Sequence, residues 1–314
     1  MVDNKQQWKA WLYLAPAIIL LLVFTVWPII NTVNMAFLND YNGMKAVGGM
    51  QFEYGIKNFQ TVVEYERFQN GLWTTILLCV LTVPISTVLA LLIAVALNSI
   101  KFLQKGLQTI FFLPYVTNSI AIGMVFAAMF NIIGMNIGKA NELIETEGII
   151  NNVIQFFGGS RINWINEGSS YGHNIAVMVI YIVWNALPFK ILVLLGGLQA
   201  INKQYYDAAK VDSTPRWRVL TRITVPLLSP MLVYVLITGF IGGFKEYSSI
   251  VGIFGDDMGP VAEPGKLNTM VGFVYDALKL GNEGRASAAA LILFGIILVV
   301  TLFNGWLSKK LAHY

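Results

Sequence analysis

The sequence predicts an all-α integral membrane protein with six transmembrane helices and both termini in the cytoplasm. Apolar residues make up 56% of the 314 residues and charged residues only 12%, whereas a soluble domain carries about 25% charged residues. A hydrocarbon core about 30 Å thick requires roughly 20 consecutive apolar residues per helical span. Six runs meet this requirement: Trp11–Val33, Leu72–Leu97, Leu107–Phe130, Ile175–Leu198, Leu227–Ser249 and Ala286–Leu307. The first run is too long for a cleaved signal peptide, so we expect it to be a retained span.

The distribution of charged residues predicts which side of the membrane each loop occupies. The two termini, the Asn98–Gly106 loop and the Ala200–Val225 loop together carry eleven Lys or Arg against three Asp, whereas the other side carries nine against fourteen Asp or Glu. An excess of Lys and Arg marks the cytoplasmic side. We therefore expect Asn34–Gly71, Ile132–Asn174 and Ile250–Arg285 to lie outside the cell. The pI near 9 reflects this asymmetry and is no evidence for nucleic-acid binding.

The chain reads as one membrane domain, residues 1–314, with short folded lobes outside. Within the second lobe, the segment from Thr146 to Phe157 is typical of a short amphipathic helix near the membrane interface. Prolines in or beside the spans predict helix kinks, which fit either ordinary irregularity or a moving pathway. These prolines are Pro16, Pro28, Pro84, Pro114, Pro188, Pro226 and Pro230.

The longest cytoplasmic loop has the pattern of two helices joined by a turn. Asn202 can cap the first helix, because its side chain can accept a free backbone N–H. Ser213 or Thr214 can cap the second helix, with Pro215 at its first position, where a missing N–H costs nothing. The loop therefore predicts a helix–turn–helix on the cytoplasmic side.

The first of these two helices is suited to contact another protein. Ala208 and Ala209 give it a face without bulk, and Tyr205, Tyr206 and Trp217 are aromatic anchors of the type enriched at interaction hot spots. The alternative is a solvated basic loop that only follows the rule for cytoplasmic charge, since aromatic residues also populate membrane interfaces.

This loop resembles the EAA loop of carbohydrate-type permease subunits of binding-protein-dependent ABC importers. In that pattern Glu-Ala-Ala is followed by a Gly four residues after the second Ala and by an apolar-Pro element. The matching residues here are Asp207, Ala208, Ala209, Asp212, Ser213, Ile223, Pro226 and Pro230. Similar residues in other parts of the chain are Asn58-Phe59, Phe112-Leu113-Pro114, Trp184, Gly197-Leu198-Gln199 and Gly284-Arg285-Ala286-Ser287-Ala288. The resemblance covers roughly residues 10–310.

Two positions of the loop depart from the family pattern. Asp207 stands in place of Glu and is one methylene shorter, and Ser213 stands in place of Gly. A Ser at this position carries a conformational penalty if the backbone there has a positive φ.

The resemblance implies an ABC type I importer permease fold in which residues 200–225 form a coupling loop on a cytoplasmic ATPase. Asp207 would pair with basic or amide groups of the ATPase, Ala208 and Ala209 would allow a close fit, and Ser213 would sit at the turn. Arg216, Trp217 and Arg218 would brace the second helix. The predicted coupling residues are Tyr205, Asp207, Ala208, Ala209, Asp212, Ser213, Arg216 and Trp217.

The resemblance also implies the partners. This chain would bind no cofactor, and ATP and Mg²⁺ would bind to two partner ATPase subunits. A second, homologous permease subunit would complete a heterodimer in a bacterial or archaeal cell (inner) membrane, and an extracytoplasmic solute-binding protein would deliver the solute. In agreement, Gly259–Lys266 is a poor phosphate loop, with five residues between its glycines and Leu267 where Ser or Thr is needed. His173 and His313 have no metal-ligand spacing, and we expect neither catalysis nor metal binding.

Polar residues inside the spans are candidates for the solute pathway, because they are costly in lipid and usually face a cavity or a partner. The predicted pathway residues are Asn131, Trp184, Asn185, Lys190, Tyr234 and Tyr247. Packing between helices is an equally good explanation for each of them. Lys190 lies deepest, and a backbone carbonyl or a partner subunit can pair with it. Lys245 and Glu246 lie near the outer end of the fifth span, where snorkelling explains them.

The leading hypothesis is therefore a permease subunit of an ATP-driven importer, forming half of the pathway for a sugar, oligosaccharide or similar polar solute. An ion-coupled secondary transporter acting without an ATPase is the main alternative, but Glu246 is the only carboxylate within the six runs. A membrane-embedded enzyme is the second alternative, but the sequence lacks the paired carboxylates or metal ligands that such an enzyme would need.

Overall fold

The computed structural model of the chain describes residues 7–100, 104–136, 143–261 and 263–311. The chain divides into two compact units. The first unit is formed by residues up to Gln69 together with Phe273–Phe294, and the second by Asn70–Gly272 with the residues from Gly295 onward. The predicted cytoplasmic positions Asp3, Lys5 and Lys101 lie outside the described residues.

The secondary structure is almost entirely helical. The helices before the hairpin are α1 (Gln7–Leu21), α2 (Trp27–Phe37), α3 (Gly43–Val47), α4 (Lys57–Glu64), α5 (Glu66–Ser99), α6 (Gln104–Val116) and α7 (Ser119–Phe130). The hairpin strands are β1 (Ile132–Asn136) and β2 (Leu143–Glu147). The later helices are α8 (Ile149–Phe156), α9 (Tyr171–Ala200), α10 (Lys203–Val211), α11 (Arg216–Val219), α12 (Val225–Phe244), α13 (Ser248–Phe254), α14 (Met270–Lys279) and α15 (Glu283–Leu311).

Within the described residues, the helices that are long and apolar enough to cross a membrane agree with the predicted spans. Five continuous segments qualify, namely Trp8–Phe37, Glu66–Ser99, Tyr171–Ala200, Arg216–Phe244 and Glu283–Trp306. A sixth is formed by the bent pair Thr109–Val116 and Ser119–Phe130. The predicted all-α class with six spans is therefore confirmed.

The third span is not the continuous helix that the sequence predicts. Its two halves are bent by 106°. Asn118 causes the break, since its side-chain oxygen accepts hydrogen bonds from the N–H of Ile120 (2.9 Å) and of Ala121 (3.3 Å). An asparagine that caps a helix in this way starts a new helix and ends the previous one.

The predicted fifth span is also too long at its outer end. Helix α12 ends at Phe244, and α13 starts after a break of three residues. The Glu246 carboxylate accepts hydrogen bonds from the N–H groups of Tyr247 and Ser249, both at 3.1 Å. These bonds satisfy amides at the start of α13 that have no partner within the helix.

The predicted amphipathic segment of the second outer lobe is part strand and part helix. Strand β2 pairs antiparallel with β1, with Ile132 opposite Glu147, and α8 begins two residues after β2. The sequence analysis did not predict the hairpin. Its strands include Ile132, Ile133 and Ile144, which are β-branched residues that favour extended structure.

Two helices contain a five-residue π-helical stretch, and each stretch ends two residues before a proline. The stretches are Leu22–Val26, before Pro28, and Leu220–Thr224, before Pro226. Proline has no N–H to donate within the helix. Here the hydrogen-bonding register has widened before each proline, so that the N–H of Trp27 bonds to the carbonyl oxygen of Leu22.

A buried asparagine organises the first unit. Asn58 is fully buried, and its side-chain nitrogen donates to the carbonyl oxygens of Ala36 (3.0 Å) and Leu38 (2.7 Å). The neighbouring Asp40 pairs with Lys57 and, at 3.4 Å, with Arg285. The hydrogen bond from Lys57 and the nearby Arg285 hold the pKa of the Asp40 carboxyl below its ordinary value. Asn58 and Arg285 are both positions on which the family resemblance rests, and the fold brings them to one network.

The second unit contains two buried apolar clusters along α9. One cluster surrounds Tyr181 and Met178, and the other surrounds Leu194 and Leu228. Between α7 and α13 the backbones touch, because a Cβ on Gly123 would lie 2.7 Å from the Cα of Gly252. Only glycine allows this approach, which positions the broken third span.

Candidate functional site

The cytoplasmic loop folds as a short, capped helix. The side-chain oxygen of Asn202 accepts a hydrogen bond from the N–H of Gln204 at 3.0 Å, so the predicted N-cap of α10 is confirmed. At the other end, the N–H of Thr214 bonds to the carbonyl oxygen of Ala209 (2.9 Å) and that of Ser213 to Lys210 (3.0 Å). This pair of bonds is the Schellman motif, which closes a helix with a left-handed residue.

Ser213 is that left-handed residue, with φ of 51°. Glycine normally fills this position because it has no Cβ, and a left-handed conformation costs other residues roughly 1–2 kcal/mol. The replacement of the family's Gly by Ser213 therefore leaves the turn intact but strained.

The second helix of the loop begins one residue later than predicted. Pro215 is its N-cap and α11 starts at Arg216, without a side-chain cap. Ser213 does not cap α11, because its backbone completes the turn that ends α10. The prediction that Ser213 or Thr214 caps this helix is therefore wrong.

The exposed face of the loop carries most of the predicted coupling residues. Tyr205, Asp207, Ala208, Asp212 and Arg216 are exposed, as is Trp217, 71% of whose surface is accessible. The Asp207 carboxylate pairs with Lys210 on the same helix at 2.9 Å, and both side chains are largely exposed. An exposed pair of this kind contributes little stability, so Asp207 remains available for another partner.

Ala209 departs from this arrangement. Only 6% of it is accessible, so it faces the chain itself and not the solvent. On the same inner side, the Tyr206 hydroxyl lies 3.3 Å from the Thr224 hydroxyl in the stretch that precedes α12. The resemblance predicts that Ala208 and Ala209 both fit against an ATPase. The structure corrects this for Ala209, because adjacent residues of a helix point in directions about 100° apart.

A second candidate site is a cavity of about 470 Å³ within the second unit. Helices α5, α9 and α12 line it together with the break between α6 and α7. Its lining contains the hydroxyl groups of Thr82, Ser86, Tyr115, Thr117, Ser119 and Thr238. Tyr115 stacks on Phe189, with 6.0 Å between ring centroids, which gives the cavity an aromatic wall.

Lys190 lines this cavity and is only 4% accessible. Its ammonium donates to the hydroxyls of Ser86 (2.7 Å) and Thr87 (2.9 Å) and to the carbonyl oxygen of Val83 (3.2 Å). The sequence predicts that either a backbone carbonyl or a partner subunit pairs with Lys190. The carbonyl oxygen of Val83 is such a backbone partner. All three acceptors are uncharged and belong to α5, so Lys190 joins α9 to α5.

The other predicted pathway residues are divided between the cavity and the surrounding packing. Asn185 lines the cavity. Trp184 packs against Phe126, with 5.2 Å between ring centroids, which matches the packing alternative. The side chains of Asn131, Tyr234 and Tyr247 are not among the residues that line the cavity.

Those three residues have other contacts. The side-chain oxygen of Asn131 accepts a hydrogen bond from Asn166 at 2.5 Å. Tyr234 lies beside Phe189, and Tyr247 packs against the apolar cluster around Tyr181.

The sequence analysis missed most of the cavity lining. Glu246 was explained by snorkelling, yet it lines the cavity and caps α13. The serines and threonines of the cavity look like ordinary helix residues in sequence, and only their shared orientation reveals the site. The Gly239–Gly243 pair was the one available signal, because small residues four apart let helices approach closely.

No group of three or more His, Cys, Asp or Glu side chains suited to a metal ion occurs among the described residues. The described residues form two candidate sites, which are the polar cavity within the second unit and the exposed surface of the α10–α11 loop.

The chain is similar to known transport proteins. Residues 86–313 match the family model described as "Binding-protein-dependent transport system inner membrane component". The arabinooligosaccharides transport system permease protein AraP of Bacillus subtilis (strain 168) is 30% identical over 302 residues, which cover 95% of this chain and 88% of AraP. The lactose transport system permease protein LacF of Rhizobium radiobacter is 27% identical over 300 residues, covering 94% and 91%.

A solved structure shares the fold. A chain in the crystal structure of a bacterial alginate ABC transporter, in complex with an alginate pentasaccharide-bound periplasmic protein, superposes with a TM-score of 0.77 and 21% sequence identity. The match covers 99% of this chain and 97% of that one. The family model matches most of the chain, and AraP is 30% identical across nearly all of it. The chain therefore belongs to the family of inner membrane components of binding-protein-dependent transport systems and is a multi-pass, non-catalytic permease subunit of an ABC importer.

Proposed function

We propose that this chain forms half of the pathway by which an ATP-driven importer takes up a carbohydrate or a similar polar solute. In this proposal an ATPase subunit docks on the coupling surface, defined as the exposed residues Tyr205, Asp207, Ala208, Asp212, Arg216 and Trp217. The observation that carries the proposal is the exposure of these side chains on α10, which is capped at both ends, and on the adjoining α11.

The shape of the coupling surface suits a protein groove. Ala208 presents only a methyl group at the centre, so the backbone of α10 can approach a partner closely. Tyr205 and Trp217 are large aromatic side chains exposed to solvent, and such residues dominate binding energy when a partner covers them. Asp207 supplies a carboxylate for a basic or amide group of the partner.

The proposed energy source is ATP bound with Mg²⁺ on two ATPase subunits. Closure of these subunits would move the coupling surface and favour one of two states of the membrane helices, which is a population shift driven by differential contacts. The Tyr206–Thr224 contact attaches α10 to the stretch that leads directly into α12. Movement of α10 would therefore reach the cavity, because α12 carries Thr238, Gly239 and Gly242.

A second permease subunit, homologous to this chain, would supply the other half of the pathway in a heterodimer. An extracytoplasmic solute-binding protein would deliver the solute to the outer side. The family description supports the binding-protein partner, as does the periplasmic protein in the related alginate transporter structure.

The chemistry of the cavity supports a polyhydroxylated solute. Its hydroxyl groups and the amide of Asn185 can exchange hydrogen bonds with sugar hydroxyls, and the stacked pair of Tyr115 and Phe189 offers an apolar ring face. The names of AraP and LacF refer to arabinooligosaccharides and lactose. No observation favours the ion-coupled alternative.

The proposed docking is tested by reversing the charge of Asp207. The chain is coexpressed with candidate ATPase subunits, and copurification and ATP hydrolysis are measured with and without loaded binding protein. We expect Asp207→Lys to reduce both copurification and ATP hydrolysis, since it places a cation where the ATPase offers basic or amide groups. Asp207→Glu restores the family's residue and should retain normal copurification and ATP hydrolysis.

The matched control is Glu64→Lys. Glu64 is an exposed carboxylate in a segment predicted to lie outside the cell, so this change should leave copurification and ATP hydrolysis unaltered. Normal assembly and hydrolysis in Asp207→Lys would refute the docking.

The strained turn predicts opposite effects of two substitutions at Ser213. Ser213→Gly relieves the left-handed strain of roughly 1 kcal/mol and should keep or raise solute-stimulated ATP hydrolysis. Ser213→Val should lower it, because a β-branched residue is an outlier at positive φ. Thr214→Val is the matched control at a neighbouring position with negative φ. Equal activity of the Gly and Val variants would show that this turn does not affect coupling.

Replacement of Lys190 should impair solute transport without affecting ATPase docking. Lys190→Met removes a cationic donor from the cavity wall, while the hydroxyls of Ser86 and Thr87 keep their bonds to the backbone of α5. Transport should fall, because the cavity wall loses its cationic donor and α9 loses three hydrogen bonds to α5. ATPase copurification should be unchanged. Leu192→Met, on an exposed part of the same helix, is the control, and unaltered transport by Lys190→Met would exclude a role for this residue.

A further inference from the structure

Helix α8 exposes an apolar stripe that the proposed transport function does not use. The stripe consists of Ile149, Val153 and Phe156, spaced so that they share one helix face, and is continued by Phe157 directly after the helix. Phe156 and Phe157 are 85% and 81% accessible and touch one another, with 5.4 Å between ring centroids. The eight residues of α8 include no charged side chain.

The opposite face of α8 is held in place, so the stripe cannot turn inward. Asn151 is buried, and its side-chain nitrogen donates to the carbonyl oxygen of Ile162 at 3.0 Å. Its side-chain oxygen accepts from the N–H of Ile162 (3.2 Å) and from the indole N–H of Trp164 (3.3 Å). On the polar edge of the helix, Gln155 donates to the Glu147 carboxylate at 2.5 Å.

The attachments of α8 define its depth relative to the membrane. Trp164, which contacts α8, accepts a hydrogen bond through its carbonyl oxygen from Asn174 in the first turn of α9, at 2.8 Å. Helix α9 has 30 residues, which at 1.5 Å per residue is about 45 Å. The hydrocarbon core is only about 30 Å thick. The first turn of a centred α9 therefore lies in the headgroup region, and α8 lies beside it.

The surface next to α8 is also suited to lipid. The N–H of Gly148, directly before α8, bonds to the carbonyl oxygen of Asn131 at the end of α7, at 2.9 Å. Helix α8 packs against α7, which exposes the apolar side chains Met124 and Val125. A second exposed apolar surface therefore lies on the helix against which α8 packs.

We propose that the stripe of Ile149, Val153, Phe156 and Phe157 inserts into the outer leaflet of the lipid bilayer. Amphipathic helices lie in the interface with their apolar face about 5–10 Å below the headgroups. Insertion would fix the height of the second outer lobe, because Asn151 attaches α8 to the segment that leads into α9. The occupant is lipid, since the stripe is apolar throughout and lies at the level of the bilayer surface.

Site-specific quenching tests the insertion. The chain has one cysteine, Cys79, which is buried and is replaced by Ala. In that background Phe156→Cys places an environment-sensitive fluorophore on the stripe, and Gln155→Cys places it on the exposed polar edge of α8, about 100° around the helix from position 156, as a matched control. The full-length chain, with the subunits that copurify with it, is reconstituted into vesicles of phosphatidylethanolamine and phosphatidylglycerol. Quenching is measured with lipids spin-labelled near the headgroup and with iodide present on both sides.

Insertion predicts that the lipid quenches the probe at position 156 several-fold more strongly than the probe at position 155, and that iodide shows the reverse order. Equal quenching of the two probes by iodide, with no lipid effect, would overturn the proposal. Protection of position 156 from both quenchers would also overturn it, because it would mean that a protein covers the stripe. Neither result depends on ATPase docking.

Discussion

The lipid environment requires each polar group of this chain to find its partner within the protein, since the bilayer core offers no water. Lys190 meets this requirement through three acceptors on α5, and Glu246 meets it through the first amides of α13. The Lys190 bonds also hold α9 to α5 beside the cavity, which Lys190 and Glu246 both line. A charge buried in a membrane is retained at a cost in stability. Lys190 lines a polar cavity and has uncharged partners only, which is consistent with the proposed role in handling a polar solute.

The coupling surface follows a different rule, because its side chains are exposed to solvent. A short helix in water is marginal by itself, and α10 is stabilised by its cap at Asn202, its Schellman turn at Ser213 and its attachment through Tyr206. The strain at Ser213 is compatible with function, since the two hydrogen bonds of the turn remain. The helix therefore exposes one face to solvent and contacts the stretch before α12 through Tyr206 on another. A coupling element needs both faces, because movement of the partner at the exposed face has to be transmitted to the membrane helices.

Much of the fold follows from the sequence, whereas the membrane site does so only in part. Length and apolarity predict the six spans, and the N-cap at Asn202 is visible because capping is a local property. Hydropathy does not reveal the break at Asn118, which depends on a single side chain. Nor does it separate Ala208 from Ala209, since only tertiary contact decides which face of α10 is buried. Trp184 is a candidate for solute stacking because it is aromatic, but its ring packs against the neighbouring Phe126. The hydroxyl groups of the cavity belong to separate parts of the sequence, and only the fold brings them together.

Site-directed crosslinking between α10 and the ATPase tests the central claim most directly, because adjacent alanines provide the comparison. In the Cys79→Ala background, Ala208→Cys and Ala209→Cys are assembled with the ATPase subunits and treated with a thiol-reactive crosslinker. Exposed position 208 should yield a covalent adduct with the ATPase, and its amount should change when ATP is added. Buried position 209 should yield little adduct. Equal adducts at the two positions, or none at position 208 in an assembled complex, would contradict docking of the ATPase on this surface.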